Sequence, residues 1–469
     1  MSYSRYDRST PTSTTAVLKL FLFACSSHSE IDEKLKNIIS PKNWQNNKLT
    51  LAVKNNWLAE LNNPYAQQLV QKALAANHQL AIQAYSLKIA EQQLIISGSK
   101  RWPELDFTLN SNRTKDNNTR TYRNANSVEL ELSYEVDIWG KLSDADRMAN
   151  YNYLAQKSTF NQYKQQLVTD VLTTWFSVIE AENLLNLSLS RVENSQQNLT
   201  IIEASYHLGL TSALDVYLTR NDLNNELTRV SEQKTQKIRL IRALELLMGE
   251  YPKGELIINA ELPLLTDTIP VGLPSELISR KPELKARWYQ LLSQDAGLAY
   301  AHKQRFPSIV LSGSVGDSTT KMSDLLSSSS LAWSLLGRIS APIFNAGLFK
   351  ANEEISRIEL KQGERLYLDT LYNAFNAVEN AITTEKNLKN SYNTMLAAQD
   401  NAKIASTLFF EQYQSGLVSY TTVLDAQNTS FEAQATLIRL KSQLITNRIN
   451  LHLSLGGDFT TPSLANKAE

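Results

Sequence analysis

"YHLGLTSALDVYLTRNDL", residues 206–223, and "YQSGLVSYTTVLDAQNTS", residues 413–430, place a tyrosine, a Gly-Leu pair, a serine and a valine at the same spacing, 207 residues apart. A repeat at that distance governs the reading of the whole chain, because each copy is a unit that packs against its twin. The duplication runs well beyond these stretches. "KRWPELDFTLN" (100–110) returns as "KQRFPSIVLSGS" (303–314), each closing a helical segment with a basic residue, an aromatic and a proline. "VDIWGKL" (136–142) has its counterpart in "APIFNAGL" (341–348), and Gly209 and Gly249 lie 40 residues apart, as do Gly416 and Gly456. Landmarks at offsets of 204 to 207 residues mark the doubling of a whole half.

From Lys141 to Leu208 there is neither proline nor glycine, a run of 68 residues. A run so free of breakers reads as one long helix, ~100 Å at 1.5 Å per residue. A second helix follows from Leu210 to Met248, and the other half repeats the pair over Leu348–Ser415, interrupted by Gly363, and Leu417–Leu455. Val171, Val178, Leu185, Val192, Leu199 and Tyr206 recur every seven residues beside a row of mostly small ones, Thr174, Ala181, Ser188, Ser195 and Ile202. Such a seam lets a second helix approach in coiled-coil fashion. Gly209 and Gly416 supply the breaks at which each helix doubles back, so both opening stretches are tips of helical hairpins.

Before each long helix the period changes to two. Leu105, Phe107 and Leu109 alternate with Asp106, Thr108 and Asn110; Val128, Leu130, Leu132, Tyr134 and Val136 alternate with Glu129, Glu131, Ser133, Glu135 and Asp137. "PSIVLSGSVG" (307–316) and "SLAWSLLGRIS" (330–340) do the same in the second half. About 10 residues of alternation is the length of a membrane-crossing strand. Four strands cannot close, since small barrels need about eight. Three copies supply twelve, so a homotrimer is the simplest closed solution, with the acidic row facing a polar barrel interior.

Composition removes other classes. Lys and Arg number 47 and Asp and Glu 47, so the basic footprint of a nucleic-acid binder is missing. No window of 18 or more apolar residues predicts a spanning helix. The five histidines (His28, His78, His207, His302, His452) form no metal-ligand spacing, and no phosphate loop or nucleophile elbow is present. The expectation is a protein that is not an enzyme and needs no cofactor or metal. "AVLKLFLFAC" (16–25) ends on the sole cysteine, with Leu22 and Ala24 placed as in a lipoprotein signal; Lys19 and Phe23 depart from the usual pattern. Residues 1–24 read as a signal peptide and Cys25 as the acylated N-terminus.

The chain resembles TolC-type outer-membrane efflux proteins, most of all the NodT-type lipoprotein branch. The resemblance rests on "VGLPSELISRKPELKARWYQL" (271–291), "AHKQRFPSIVLSGSVG" (301–316), "YEVDIWGK" (134–141), "GLVSYTTVLDAQ" (416–427) and "NLHLSLGGDF" (450–459), and covers roughly residues 25 to 460. It implies a mainly α trimer with a 12-stranded outer-membrane barrel continuing into a periplasmic helical coiled-coil tunnel. The repeats are then 25–260, with strands at about 104–137 and helices at about 141–248, and 261–469, with strands at about 307–340 and helices at about 348–455. The linker "ELPLLTDTIP" (261–270) and the segment near residue 360 are expected in a smaller belt around the tunnel.

What the resemblance implies for function is the channel of a tripartite efflux pump, localised to the outer membrane of a Gram-negative bacterium. Its partners would be a periplasmic adaptor, an inner-membrane transporter of the RND type and outer-membrane lipids. Asp215, Asp425 and Tyr413 correspond to gate residues at the periplasmic aperture. Thr421 stands where some relatives have a leucine and Asn428 where some have an arginine, so a salt-bridge latch is not expected. Gly209, Leu210, Gly416 and Leu417 form the hairpin tips for adaptor docking. Two other readings stay open from the residues: the duct of a one-step protein secretion system, and a periplasmic coiled-coil scaffold without a pore, which would not need strands with one apolar face.

Overall fold

The computed structural model describes residues 31, 41, 43–45, 57–61, 63–258, 261–265, 271–326 and 331–457. Cys25 and the segment before it lie outside the described residues, as does the second half of the 261–270 linker. A 3₁₀ turn at Trp57–Leu61 leads to α1 (Pro64–Ala76), α2 (His78–Ser99), β1 (Glu104–Asp116), β2 (Thr121–Glu135), α3 (Lys141–His207) and α4 (Ala213–Leu247). The order returns as α5 (Pro274–Arg280), α6 (Pro282–Lys303), β3 (Ser308–Thr319), β4 (Ala332–Ser340), α7 (Leu348–Gln414) and α8 (Tyr420–Ser454). The fold is mainly helical, and the duplication is metrically close: α3 and α7 both have 67 residues, α4 and α8 both 35. No described helix is long and apolar enough to cross a membrane.

Residues 87–156 and 287–368 belong to one compact unit and residues 57–86, 157–286 and 369–457 to another, so each unit draws on both repeats. The first holds the sheet, an antiparallel meander in the order β1-β2-β3-β4. The outer edges of β1 and β4 pair with no described strand. Its register aligns the alternation of all four strands. Leu105, Leu132, Gly313 and Leu335 form one cross-strand row and Phe107, Leu130, Val315 and Trp333 the next, whereas Asp106, Glu131, Ser314 and Ser334 line the opposite face. Most of the apolar face is uncovered among the described residues, with Phe107 69% exposed and Leu335 77%, although Val128 is buried.

The strand-to-helix joint in this unit is capped by an acid. The Asp137 carboxylate accepts the backbone N–H groups of Leu142 (2.9 Å) and Ser143 (2.8 Å), filling orphan donors at the start of α3. The Trp139 indole N–H donates to the Pro307 carbonyl (2.7 Å), and Lys303 pairs with buried Asp144 (2.6 Å). Leu291, Leu298, Leu360 and Tyr367 make a small core between α6 and α7. Gly363 does not break α7, contrary to the sequence reading. A Cβ there would fall 1.8 Å from the Gln294 Oε1 atom, the mobile end of a side chain of α6, so the glycine marks where that amide rests against the helix. The segment near residue 360 lies within this helix.

The second unit contains the main core, where Val171, Leu172, Trp175, Phe176, Val178 and Ile179 of α3 pack with Leu69, Val70 and Ala73 of α1, Ile241 and Leu244 of α4, and Ile445 and Ile449 of α8. The heptad is legible in the burial. Val171, Val178, Leu185 and Leu199 are buried, as are Ala181, Ser188, Ser195 and Ile202, while Val192 and Thr174 are half-buried and Tyr206 is exposed.

All four helices of the two hairpins end in the same motif. Gly209 (φ 72°), Gly249 (φ 71°), Gly416 (φ 74°) and Gly456 (φ 64°) adopt the left-handed conformation that closes a helix at low steric cost. Leu210 N–H donates to Ser205 O and Leu417 N–H to Gln412 O, both at 2.9 Å, the outer bond of a Schellman turn. Glu250 to Glu245 (2.9 Å) and Gly457 to His452 (3.0 Å) repeat it. The surroundings differ by pairs. A Cβ on Gly209 or Gly416 would meet nothing within 4 Å, but one on Gly249 would lie 2.3 Å from the Ala76 carbonyl, and one on Gly456 3.0 Å from Lys281 Cα. Each returning helix thus closes against the break between two short helices, α1/α2 in one repeat and α5/α6 in the other. Accordingly, Gly209→Ala and Gly416→Ala should each cost only the backbone term of about 1–2 kcal/mol. Gly249→Ala and Gly456→Ala should cost clearly more, read as a larger drop in the denaturation midpoint of the helical circular dichroism signal.

Candidate functional site

The hairpin tips of the two repeats pack on each other within the second unit. Val216 and Val423, equivalent positions of the duplicated motif, are both buried, in one cluster with Ile202 and Tyr420 and flanked by Leu218, Phe410, Tyr413 and Leu424. The Tyr413 and Tyr420 rings lie 5.2 Å apart at 57°. The shared serine has two environments: Ser212 caps α4 by accepting the Asp215 N–H (3.3 Å), whereas the Ser419 hydroxyl meets those of Thr421 (2.6 Å) and Thr422 (3.1 Å).

Asp215 and Tyr413 come together through a residue the sequence reading passed over. The Thr211 hydroxyl lies 2.5 Å from Asp215 Oδ2 and 3.0 Å from the Tyr413 hydroxyl. Because an ionised carboxylate only accepts, Thr211 donates to Asp215 and Tyr413 donates to Thr211. The chain of bonds ties the tip of one repeat to that of the other. Burial pushes the Tyr413 phenol above its ordinary range, helped by the Asp215 charge, and pushes Tyr420 up to about 12. Both phenols stay protonated at neutral pH.

Thr421, Asp425 and Asn428 are exposed and follow one another at helical spacing on α8. The structure groups them as a separate row, not with Asp215 and Tyr413. Asp425 contributes its backbone carbonyl to Thr429 (2.8 Å) and leaves its carboxylate to solvent. At the turns, Leu210 is 77% exposed and Leu417 74%, so Gly209 and Gly416 carry a matched pair of apolar knobs.

Farther along α3 from the tip the interior is polar. The Ser195 hydroxyl donates to Asp222 (2.5 Å) and the Asn198 amide to Gln427 (3.1 Å). Buried Arg191 reaches Glu226 (3.7 Å) and Glu432 (3.2 Å) and stacks over the Phe431 ring at 4.8 Å; Arg229 reaches the same two acids at 3.4 and 3.1 Å. Burial pushes the Glu226 carboxyl up despite the two guanidiniums. Burial also acts to raise Glu432, but there Arg191 and Arg229 prevail and hold it below the usual carboxylate range. The signal in the sequence was the spacing of Arg191, Ser195, Asn198 and Ile202, four positions on one helix face, three of them polar.

Residues 69–250 and 273–457 match the outer membrane efflux protein family. The solvent efflux pump outer membrane protein SrpC of Pseudomonas putida is 29% identical over 408 residues, 85% of this chain and 86% of that one. The probable outer membrane lipoprotein SilC of Salmonella typhimurium is 28% identical over 424 residues, 88% of this chain and 91% of that one. The crystal structure of a membrane protein from Pseudomonas aeruginosa superposes with a TM-score of 0.82 at 25% identity, covering 88% of this chain and 97% of that one.

Two outcomes follow from the charge network. Arg191→Met leaves the buried Glu226 carboxylate with Arg229 as its one guanidinium partner and should destabilise the fold by less than the about 3–5 kcal/mol of a fully broken buried pair, while Arg191→Met with Glu226→Leu should recover most of the loss; urea unfolding of both variants reads the difference. Glu432, lowered in the folded state, contributes stability that is complete above the unfolded carboxyl pKa of about 4.3 and is lost as pH falls through the folded value. Glu432→Gln should therefore flatten the acid side of the stability profile and leave the neutral side less stable than wild type.

Proposed function

Because this chain belongs to the outer membrane efflux protein family, we propose that it is the passive trimeric exit duct of a tripartite efflux pump, carrying small molecules across the periplasm and outer membrane. The observation that carries the reading is the sheet: one apolar face, one polar face and two outer strands without partners among the described residues. In hydrocarbon every backbone donor and acceptor must be paired, so such a sheet is stable only when closed. Three copies edge to edge make twelve strands, with the Leu105 and Phe107 rows outward and Asp106, Glu129 and Glu131 lining the interior. The two halves, 25–260 and 261–469, would each supply two strands and one helical hairpin of this assembly.

Within the proposed trimer the six hairpin tips surround the periplasmic mouth. The Tyr413–Thr211–Asp215 bonds hold the two tips of each protomer together, and opening the mouth strains them. The exposed row of Thr421, Asp425 and Asn428 faces the axis in this reading, where three Asp425 carboxylates form a negative ring that favours cations. Leu210 and Leu417 present apolar knobs to a periplasmic adaptor, which couples the duct to an inner-membrane transporter of the RND type. Energy comes from that partner, since a duct needs no nucleotide or cofactor of its own. Acylation of Cys25 anchors the chain to outer-membrane lipid; SilC, a relative over most of the chain, is named as a lipoprotein.

Single-channel recording in planar bilayers tests the duct and its gate together. Wild type should give a small, cation-selective conductance. Tyr413→Phe should enlarge it by loosening the tips, and Asp425→Ala should lower cation selectivity with a smaller change in size; Thr421→Ala should widen the mouth slightly. Folded protein that never conducts, in wild type or variants, would sink the reading.

A further inference from the structure

The register of the β1–β2 hairpin carries the apolar face upward into cations. Leu105, Phe107 and Leu109 pair with Leu132, Leu130 and Val128, and the next pairs of the same parity are Ser111 with Asn126, Arg113 with Asn124 and Lys115 with Tyr122. The Arg113 guanidinium lies 4.6 Å from the centre of the Tyr122 ring and the Lys115 ammonium 5.8 Å. One exposed tyrosine therefore holds two cations on the face that continues the apolar rows. Arg113 lies four positions beyond Leu109, ~14 Å along a strand and ~10 Å in height at a tilt of about 40°. Counted from Leu105, the first residue of the apolar row, Arg113 stands ~21 Å up, near the top of an apolar band about 25 Å tall, where hydrocarbon gives way to headgroups.

The positive charge belongs to this hairpin and not to the fold. Its turn adds Arg120 and β2 adds Arg123, on the opposite parity, against a single acid, Asp116, whose carboxylate accepts the backbone N–H of Asn118 at 2.9 Å and also belongs to the opposite parity. The matching β3–β4 hairpin carries Lys321 beside Asp317 and Asp324. Two cations sharing one ring repel each other, and among the described residues no carboxylate pairs with either to relieve it.

We propose that Arg113, Lys115 and Tyr122 form a docking site for the phosphate-bearing headgroup of an anionic lipid in the leaflet around the hairpin, a proposal that rests on the outer-membrane reading above. A guanidinium forks onto two phosphate oxygens and the ammonium supplies a point charge to a third. Tyrosine suits the boundary because its ring stays with the acyl chains while its hydroxyl meets water. Charge complementarity selects the occupant: phosphate is the anion that lipid presents at this height.

Native mass spectrometry of the full chain in detergent tests the site, using short-chain phosphatidic acid and phosphatidylcholine of the same chain length as probes. Wild type should favour phosphatidic acid by about tenfold or more. The double variant Arg113→Gln, Lys115→Gln should lose that preference, and Tyr122→Leu should weaken it several-fold. A preference unchanged in the double variant overturns the proposal. So does full displacement of the lipid by an equal concentration of inorganic phosphate, which would mark a site for soluble anions. Bilayer conductance of the same variants should match wild type, because none lies at the hairpin tips. Normal conductance with unchanged lipid preference refutes the site alone, whereas a wild type that never conducts refutes the duct and leaves the lipid comparison legible.

Discussion

A backbone donor or acceptor left unpaired in hydrocarbon costs several kcal/mol, and the sheet of this chain ends on two strands whose outer edges no described strand covers. That constraint orders the rest. The alternation of Leu105, Phe107 and Leu109 with Asp106, Thr108 and Asn110 makes sense only for strands between two solvents, one apolar and one aqueous. A lone meander of four strands satisfies neither its edges nor its bare apolar face. Closure by further copies satisfies both, which is why the proposed trimer follows from the sheet and not from the helices.

The helices answer a different constraint, close approach. Gly249 and Gly456 let two helix ends abut the backbone of Ala76 and Lys281, while Gly363 of α7 meets only side chains of α6, Gln294 and Leu291. Gly209 and Gly416 share the turn conformation but stand in open space, so their conservation of form within the chain reflects the turn alone. The repeat is thus built from one motif with two uses: a packed end, where glycine is sterically required, and a free tip, where only its φ matters. Free tips leave Leu210 and Leu417 available to a partner.

Between tip and core the interior trades apolar packing for polar pairing. Arg191, Glu226, Arg229 and Glu432 tie α3, α4 and α8 together across the two repeats, with one guanidinium and one carboxylate largely out of water. Such networks add little net stability compared with an apolar core, but they penalise any sliding of one helix along another, because a shifted register leaves a buried charge alone. Ser195 with Asp222 and Asn198 with Gln427 extend the same principle toward the tip. Helices held in register by polar contacts can part and re-form where a purely apolar seam could slide.

By itself the sequence determined the periods, the breaks and the duplication. Glycine and proline positions, the heptad from Val171 to Tyr206 and the two-residue alternation around Leu105 and Leu130 are local properties, set by the geometry of a single helix or strand. They located the strands, the long helices and the tips at Gly209 and Gly416. Tertiary structure decided which residues meet. Thr211 carries no sequence signal, yet it joins Asp215 to Tyr413; Gly363 reads as a break but serves as a contact; Asp425 and Asp215 look alike as acids near a turn, yet one stands exposed and the other accepts from Thr211, which carries the bond on to the second tip. Residues about 200 positions apart become neighbours only when two hairpins pack, and no local period encodes which of their polar side chains will face each other.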